Sequence, residues 1–544
     1  MGKLNWAKQA GFALLLCAAT AIALPAQTST APQRGSITPI VPNETVALPA
    51  QTFETLQSFD LTDGATPYAV LVQGTDWNLY GTTSYGGAQG CGTVFKITAA
   101  GALTTLHSFH GTDGINPNGL LQGANGTFYG TTDGGGPKYS YGTVFKITPG
   151  GTLATLYSFC SQSDCTDGLQ PYAGLVQATD GNFYGTTWVG GHTGYISCPY
   201  GCGTVFKIAP SGTLTTLYRF CSQSACRDGT YPGAGLVQAT DGNLYGTTAL
   251  GGANNNCAPY TGCGTIFKIT PSGTLTTLYS FCSESGCTDG FRPEAGLVQA
   301  TNGNFYGTTY YGGAKGNISC PYGCGTVFEI TPGGTLTTLY SFCSKPGCAD
   351  GSSPSSGLVQ ATDGNLYGTT DEGGANSCII GGTSYGCGTV FKIIPSGTLT
   401  TLYSFCSQNS CADGSSPSSG LVQDTNGKFY GTTSGGGANN DGTVFSLSVG
   451  LGPFVETQPT SGSMGEAVKI LGTNLAGATR VMFNGHAAVF SVVSNSLITT
   501  TVPAGATTGL VEVVTPSGTL LSNAPFRVPP SFSPGSPSGD EGGD

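Results

Sequence analysis

Seven copies of the phrase Tyr-Gly-Thr-Thr divide this 544-residue chain, and the two residues after each copy are those whose types could do chemistry. They are Ser84-Tyr85, Asp133-Gly134, Trp188-Val189, Ala249-Leu250, Tyr310-Tyr311, Asp371-Glu372 and Ser434-Gly435. Aromatic rings stack on sugar faces and carboxylates accept from hydroxyl groups. Tyr85, Asp133, Trp188, Tyr310, Tyr311, Asp371 and Glu372 are therefore candidate ligand-binding residues for a glycan or a surface protein. The plainer alternative makes them variable loop positions whose rings pack on neighbouring loops. Catalytic signatures are sparse: no HExxH, GxSxG or phosphate-cradling loop occurs. The four histidines are His107, His110, His192 and His486. His192 with Asp133, or with Asp371 and Glu372, could assemble a polysaccharide lyase or hydrolase from separate repeats; its bland reading is an exposed loop residue. No catalytic residue, cofactor or metal site is expected.

Cysteine is the other reactive type. Eighteen cysteines fall in close pairs: Cys160/Cys165, Cys221/Cys226, Cys282/Cys287, Cys343/Cys348 and Cys406/Cys411 in one set of loops, Cys198/Cys202, Cys257/Cys263, Cys320/Cys324 and Cys378/Cys387 in another. Pairs come and go as units between repeats, so each is expected to form a disulfide within its own loop. Zinc is disfavoured, because C-x2-C spacing is absent and thiolates in an exported chain are oxidised. Cys91 has no upstream partner and is expected to be the free thiol.

The elements that must position these residues follow from the repeat. Tyr-Gly-Thr-Thr starts at Tyr80, Tyr129, Tyr184, Tyr245, Tyr306, Tyr367 and Tyr430, spacings of 49, 55, 61, 61, 61 and 63 residues. One unit reads GLVQAT (strand a), NLYGTT (b), GTIFKIT (c) and TLTTLYSF (d). Asp241-Gly242 between a and b predicts a type I′ hairpin, and Pro271-Ser272-Gly273 a tight turn between c and d. Four antiparallel strands per unit, seven times over, predict an all-β, seven-bladed β-propeller across residues 51–450. The array opens at Phe53–Phe59 on a strand d and closes at Gly442–Leu447 on a strand c, so the N-terminal strand should complete the last blade. The a–b and c–d turns then share one face, and the long b–c and d–a loops, which hold the paired cysteines and the candidate ligand residues, share the other. The strand-a glutamines, Gln73 to Gln423, either ring a channel or, as is the simpler reading, satisfy backbone groups where blades meet. The aspartates of the recurring Asp-Gly in d–a loops are read as turn residues in preference to calcium ligands.

This unit resembles the tandem repeat of Gloeobacter and Verrucomicrobia proteins, the GloVer repeat of choice-of-anchor surface proteins. The likeness rests on YGTT, GG, GTVFKI, PSGTLTTLYSF and the DG-P-GLVQATDGN connection, over about 400 residues. It implies a bacterial exported protein and no particular activity; such proteins often carry a C-terminal sorting signal, and no sorting helix or wall-anchor motif is found here. Residues 453–528 resemble an IPT/TIG module, an immunoglobulin-like β-sandwich, on Pro459-Thr460-Ser461-Gly462, Gly472-Thr473-Asn474 and Val502-Pro503-Ala504-Gly505.

Composition sets the compartment and excludes one partner class. Met1–Ala26 reads as a secretory signal, with Lys3 and Lys8 before an apolar run, followed by a flexible linker at 27–50; residues 529–544 read as a disordered acidic tail. The expected location is secreted or extracellular, with attachment to the cell surface left open and no transmembrane segment in the mature chain. A net charge of -11 offers no basic stripe for phosphates, so nucleic acid is not an expected partner. A monomer is expected, non-enzymatic in the leading reading and a polysaccharide lyase or glycoside hydrolase in the runner-up.

Overall fold

A computed structural model describes residues 51–137, 141–191, 198–257, 259–313, 320–380 and 383–529. The expected signal peptide and linker, the tail after Pro529 and His192 lie outside the described residues. The described chain is all-β, with a few three-residue helical turns.

Between Thr52 and Ser448 the strands form seven four-stranded antiparallel sheets among the described residues. The fourth contains Val237–Gln238, Leu244–Thr248, Thr265–Ile269 and Leu275–Ser280, in that order. Every residue of Leu244–Thr248 is buried, since both faces of this strand pack against neighbouring sheets. A methyl group on Gly246 would lie 2.7 Å from both Leu236 and Phe267, which is why the phrase carries glycine there. Asp241-Gly242 departs from the expected type I′ turn. Only the glycine is left-handed, at φ 81°, with bonds from Gly242 N to Ala239 O and Ala239 N to Asn243 O. The aspartate instead accepts from Asn243 N, Asn243 Nδ2 and Tyr245 Oη, a side-chain closure that holds it in an ordinary conformation. Strand c carries Lys392 bonded to Asp363 at 2.9 Å. Where that strand carries Glu329, the turn carries Asn302, and Glu329 accepts from Tyr306 Oη at 2.7 Å. These strand-c positions therefore bond the turn beside them in place of only facing solvent.

The core lies between sheets. Tyr245 meets Phe305 of the next sheet with centroids 4.1 Å apart, and Phe281 meets Phe328 at 5.3 Å. One apolar cluster joins the last sheet to the first through Phe59, Leu71, Phe95, Tyr430 and Val444. Two hydrogen-bond series follow the same cycle. The first threonine of each Tyr-Gly-Thr-Thr donates to a carbonyl of the next unit, from Thr82 to Asn118 O through Thr432 to Pro67 O. Each strand-a glutamine accepts from a backbone N–H of the preceding unit, as Gln238 does from Thr179, and Gln73 accepts from Thr425 at 3.1 Å. The glutamines thus satisfy backbone groups at sheet junctions. The N-terminal strand Thr52–Ser58 pairs antiparallel with Thr443–Ser448, Phe53 opposite Leu447.

Residues 454–528 form two four-stranded sheets around Val468, Ile470, Val481, Phe483 and Val511. This sandwich docks on the a–b turns: Gln458 Nε2 donates to Gln73 O, Thr473 Oγ1 to Thr425 O, and Trp77 Nε1 to Ser496 O. Burial there, with the Asp424 charge adding to it, pushes the Glu456 carboxyl up to about 7. No helix among the described residues is long and apolar enough to cross a membrane.

Candidate functional site

The sandwich sits on the short-turn face, and on the long-loop side a cavity of about 750 Å³ opens where the seven units converge. Its narrow part is built of backbone. A side chain on Gly174 would reach 3.1 Å from Gly119 O, one on Gly296 3.1 Å from Gly235 O, and one on Gly420 3.0 Å from Val70, which replaces glycine in the first unit.

Rim side chains are held by an unusual joint. The residue before the repeated proline, Thr66, Asn116, Gln170, Tyr231, Arg292, Ser353 or Ser416, is left-handed in every unit, φ 53–60°. Left-handed backbone in non-glycine residues costs roughly 1 kcal/mol or more and persists where surroundings over-determine it. Here two main-chain bonds do so. Arg292 N donates to Cys263 O, and Tyr310 N donates to Arg292 O; Ser353 is bonded likewise to Cys324 O and Asp371 N. The joint thereby fixes the residue following Tyr-Gly-Thr-Thr.

Of the seven candidates, Tyr85 and Asp133 line the cavity. Asp371 accepts from Ser418, a lining residue, at 2.9 Å. Trp188 packs edge-on to the lining Tyr172 at 5.5 Å and over Gly233. Tyr310 lies within reach of the charges of Asp371 and Glu294. Tyr311 and Glu372 are engaged elsewhere. Tyr311 belongs to a cluster with Tyr260 (6.0 Å), Phe291 (5.4 Å) and Tyr322 (5.7 Å), beside the Arg292 guanidinium. Glu372 accepts from Ser353 at 3.3 Å. Sequence reasoning missed Tyr68, Tyr172, Glu294 and Ser355. Each is the residue after the repeated proline, and variation at that point in a Pro-x-x-Gly-Leu shared by five of the seven units was the available signal.

The cavity is acidic. Burial pushes the Asp133 carboxyl up to about 6, with Asn116 opposing the shift, and raises Asp371 and Glu294 as well. Glu294 has a cation, Arg292, at 2.6 Å. Asp133 Oδ1, Asn116 Oδ1 and Ser355 Oγ are buried without a hydrogen-bond partner. Tyr68, Tyr85 and Tyr172 remain 51, 49 and 45% exposed, so their ring faces are free for a ligand.

The paired cysteines are bonded within their loops. Cys160–Cys165, Cys221–Cys226, Cys282–Cys287, Cys343–Cys348 and Cys406–Cys411 close the d–a loops. Cys198–Cys202, Cys257–Cys263, Cys320–Cys324 and Cys378–Cys387 close the b–c loops. The bonding is as the spacing predicts, and the disulfides also pack across loops, as Cys287 shows. Bonded to Cys282, its sulfur also reaches across to the b–c loop, 3.8 Å from Asn256 O. A disulfide sulfur carries no proton, so this is a packing contact and not a thiol hydrogen bond. Cys287 is buried in one apolar cluster with Cys257 and Cys263, and its carbonyl accepts from Gly290 N and from Gly313 N, beyond Tyr311. Elsewhere the two disulfides of a unit come closer still. The sulfurs of Cys320, Cys324, Cys343 and Cys348 lie within 4.8 Å of one another, and Cys378 Sγ is 3.3 Å from Cys406 Sγ. The two sets of loops are thus packed against each other beside the rim. Cys91 is free and half-buried. Alkylation of the denatured, unreduced chain lacking the signal peptide, and with it Cys17, should modify one site, in the peptide containing Cys91; a second labelled peptide would contradict the pairing.

His107 and His110 serve structure. Both bond Asp113 at 2.8 Å, and His107 stands where other units have tyrosine. In those units, Tyr279 Oη, for example, donates to the fully buried Asp289. The Asp-Gly aspartates are therefore anchors inside the d–a loop, beyond the turn role expected of them.

The Gloeobacter/Verrucomicrobia repeat model matches residues 33–260, 162–383 and 260–472, and the IPT/TIG domain model residues 454–528. No curated protein matches. Among solved structures, a streptogramin B lyase is 14% identical with a TM-score of 0.46, covering 73% of this chain and 97% of its own. Virginiamycin B lyase from Staphylococcus aureus is 13% identical with a TM-score of 0.45, covering 73% and 99%. The extracellular domain of a hybrid two-component system from B. thetaiotaomicron is 11% identical with a TM-score of 0.45, covering 84% of this chain and 52% of its own. These distant likenesses say nothing of activity. The family matches together run from residue 33 to residue 472, and the chain belongs to the Gloeobacter/Verrucomicrobia repeat family, with an IPT/TIG domain at its C-terminal end.

Proposed function

We propose that the seven sheets are blades of a closed seven-bladed β-propeller spanning 51–450, and that its long-loop cavity binds a glycan without transforming it. The chain would act outside the cytoplasm, as nine disulfides in the described residues suit an oxidising compartment. One observation carries the reading: half-exposed tyrosines 68, 85 and 172 share a cavity with Asp133, Glu294 and unpartnered polar atoms. Flat apolar faces with fixed acceptors between them match the alternating apolar and hydroxyl surfaces of sugar rings. Glycan-array binding by the intact protein tests it. A Tyr68→Ala/Tyr172→Ala variant should bind about 10-fold or more weakly, since each ring contributes roughly 0.5–1.5 kcal/mol beyond its buried area. Equal binding by both proteins would remove the cavity from the reading, and a partner found only among proteins would replace the glycan.

A second reading is a polysaccharide lyase or hydrolase, favoured by Asp133, whose carboxyl at about 6 is poised between acid and base near neutrality. Turnover of an array-positive polysaccharide, abolished by Asp133→Asn, would establish it.

A further inference from the structure

We infer that the ligand of this cavity carries a positive charge, an amino sugar with its amine free. The inference rests on the glycan reading and adds the sign of the ligand.

Two carboxylates line the cavity, Asp133 and Glu294, with Asp371 behind the lining Ser418, and among the described residues only Glu294 is paired with a cation. Arg292 is committed to Glu294 through Nε and to Tyr260 through Nη1 at 3.1 Å, and it stands among the Tyr260, Tyr310 and Tyr311 rings. Among the described residues no lysine, arginine or histidine forms an ion pair with Asp133 or Asp371. Burial without a counter-charge is what raises both carboxyls, and Glu372 adds to the negative charge beside Asp371. Burial raises Tyr172, Tyr68 and Tyr310, and nearby charge adds to it, from Asp133 at Tyr172 and from Asp371 at Tyr68 and Tyr310. The acids and the rings therefore lie close together.

The unpartnered atoms are specific about what is missing. Asp133 Oδ1 and Asn116 Oδ1 are both acceptors, and Ser355 Oγ can accept as well. A hydroxyl can donate to one of them and brings lone pairs of its own. An ammonium has three donors and no acceptor, so it can answer several acceptors at once while supplying charge to the carboxylates. The tyrosine faces attract the same group through their quadrupoles. A uronate, sulfate or phosphate would meet only repulsion, and an acetylated amine would leave Asp133 without charge compensation.

Calorimetry with three probes of equal length tests this: a glucosamine oligosaccharide, its N-acetylated form and a cello-oligosaccharide. At pH 7 and low salt, the free-amine oligomer should bind at least about 10-fold more tightly than either other probe. Asp133 is charged above its pKa and the sugar amine below its own, so the preference should be present from about pH 6 up to the pH at which the amine loses its proton, and fade on either side. Asp133→Asn should erase the preference, bringing the affinity for the free-amine oligomer down to that for the two neutral probes, and Asp371→Asn should reduce it, with near-UV circular dichroism reporting that both variants fold. Equal affinity for the three probes, or an unchanged preference in Asp133→Asn, overturns the positive charge and leaves glycan binding standing. Absence of binding to all three probes and to every glycan on the array overturns both.

Discussion

Removal of residues 51–59 should abolish cooperative folding of the repeat array. Phe53 stacks on Tyr403 at 3.8 Å and lies 5.4 Å from Phe445 of its own sheet, while Phe59 is fully buried at the junction of the last and first units. Loss of a buried phenylalanine such as Phe59 costs about 3–5 kcal/mol, and its loss together with the half-buried Phe53 and the pairing along Thr443–Ser448 approaches the whole stability of an ordinary domain, roughly 5–15 kcal/mol. The uncovered strand Thr443–Ser448 would also present a free edge, which recruits other chains. Urea titration and size-exclusion chromatography of the truncated protein should show a lost transition and higher oligomers, and added peptide 51–59 should restore the native elution volume. An unchanged urea midpoint would mean that the last sheet is stable with three strands.

Asp289→Asn should destabilise by about 3 kcal/mol although it changes almost no volume. The buried carboxylate accepts from Tyr279 Oη and Ser283 N through Oδ2, both at 2.9 Å, from Ser283 Oγ at 3.1 Å, and from Glu284 N through Oδ1 at 3.4 Å. Either orientation of an amide turns an N–H toward donors, so at least one bond is lost and a donor is left unsatisfied. Tyr279→Phe removes the hydroxyl's bonds to Asp289 and to Ser283 Oγ but leaves the carboxylate in place, and should cost about 2 kcal/mol. Urea midpoints of the two variants, with and without chelator, check the argument. Chelation should leave all three proteins unchanged, because protein donors occupy the carboxylate; a lower midpoint in chelator would return the aspartates to calcium.

The period of the repeats made the strands legible. Runs such as TVFKI and LTTLYS between turn residues fixed four strands per unit, and the d-like segment at Phe53 foretold which strand it would join. Directions were less legible than identities. Nothing in Asp-Gly says that the aspartate side chain, by capturing Asn243 and Tyr245, replaces a second left-handed residue. Nor does a histidine spelling distinguish a catalyst from His107, which substitutes for a tyrosine hydroxyl. The spacing of Cys282 and Cys287 announced their bond, yet the approach of Cys287 to Asn256 depends on how two loops far apart in sequence are brought together. At the site, the residues after Tyr-Gly-Thr-Thr were found because they vary, yet Tyr311 and Glu372 point into loop contacts. Tyr68, Tyr172 and Glu294 were overlooked because they lie between the repeated proline and strand a, in a stretch read as connection. The docking of the sandwich on Gln73 and Thr425 was hard to read because its acceptors are main-chain oxygens that every residue owns, and its one trace was Trp77, which stands where other a–b turns carry glycine.

The left-handed joint before each repeated proline bears on how such a protein could change its target over generations. Every bond that sets the rim in place is made by main chain, from Arg292 N to Cys263 O and from Tyr310 N to Arg292 O. These main-chain bonds do not depend on which side chain stands at the rim, so mutation can exchange Trp188, Asp133 or Glu294 for other types while the joint persists. Duplication of a unit copies the joint and leaves its side chain open to drift. The result is a set of seven independently writable positions around one cavity, and selection for a new ligand can proceed one unit at a time while the architecture stays fixed.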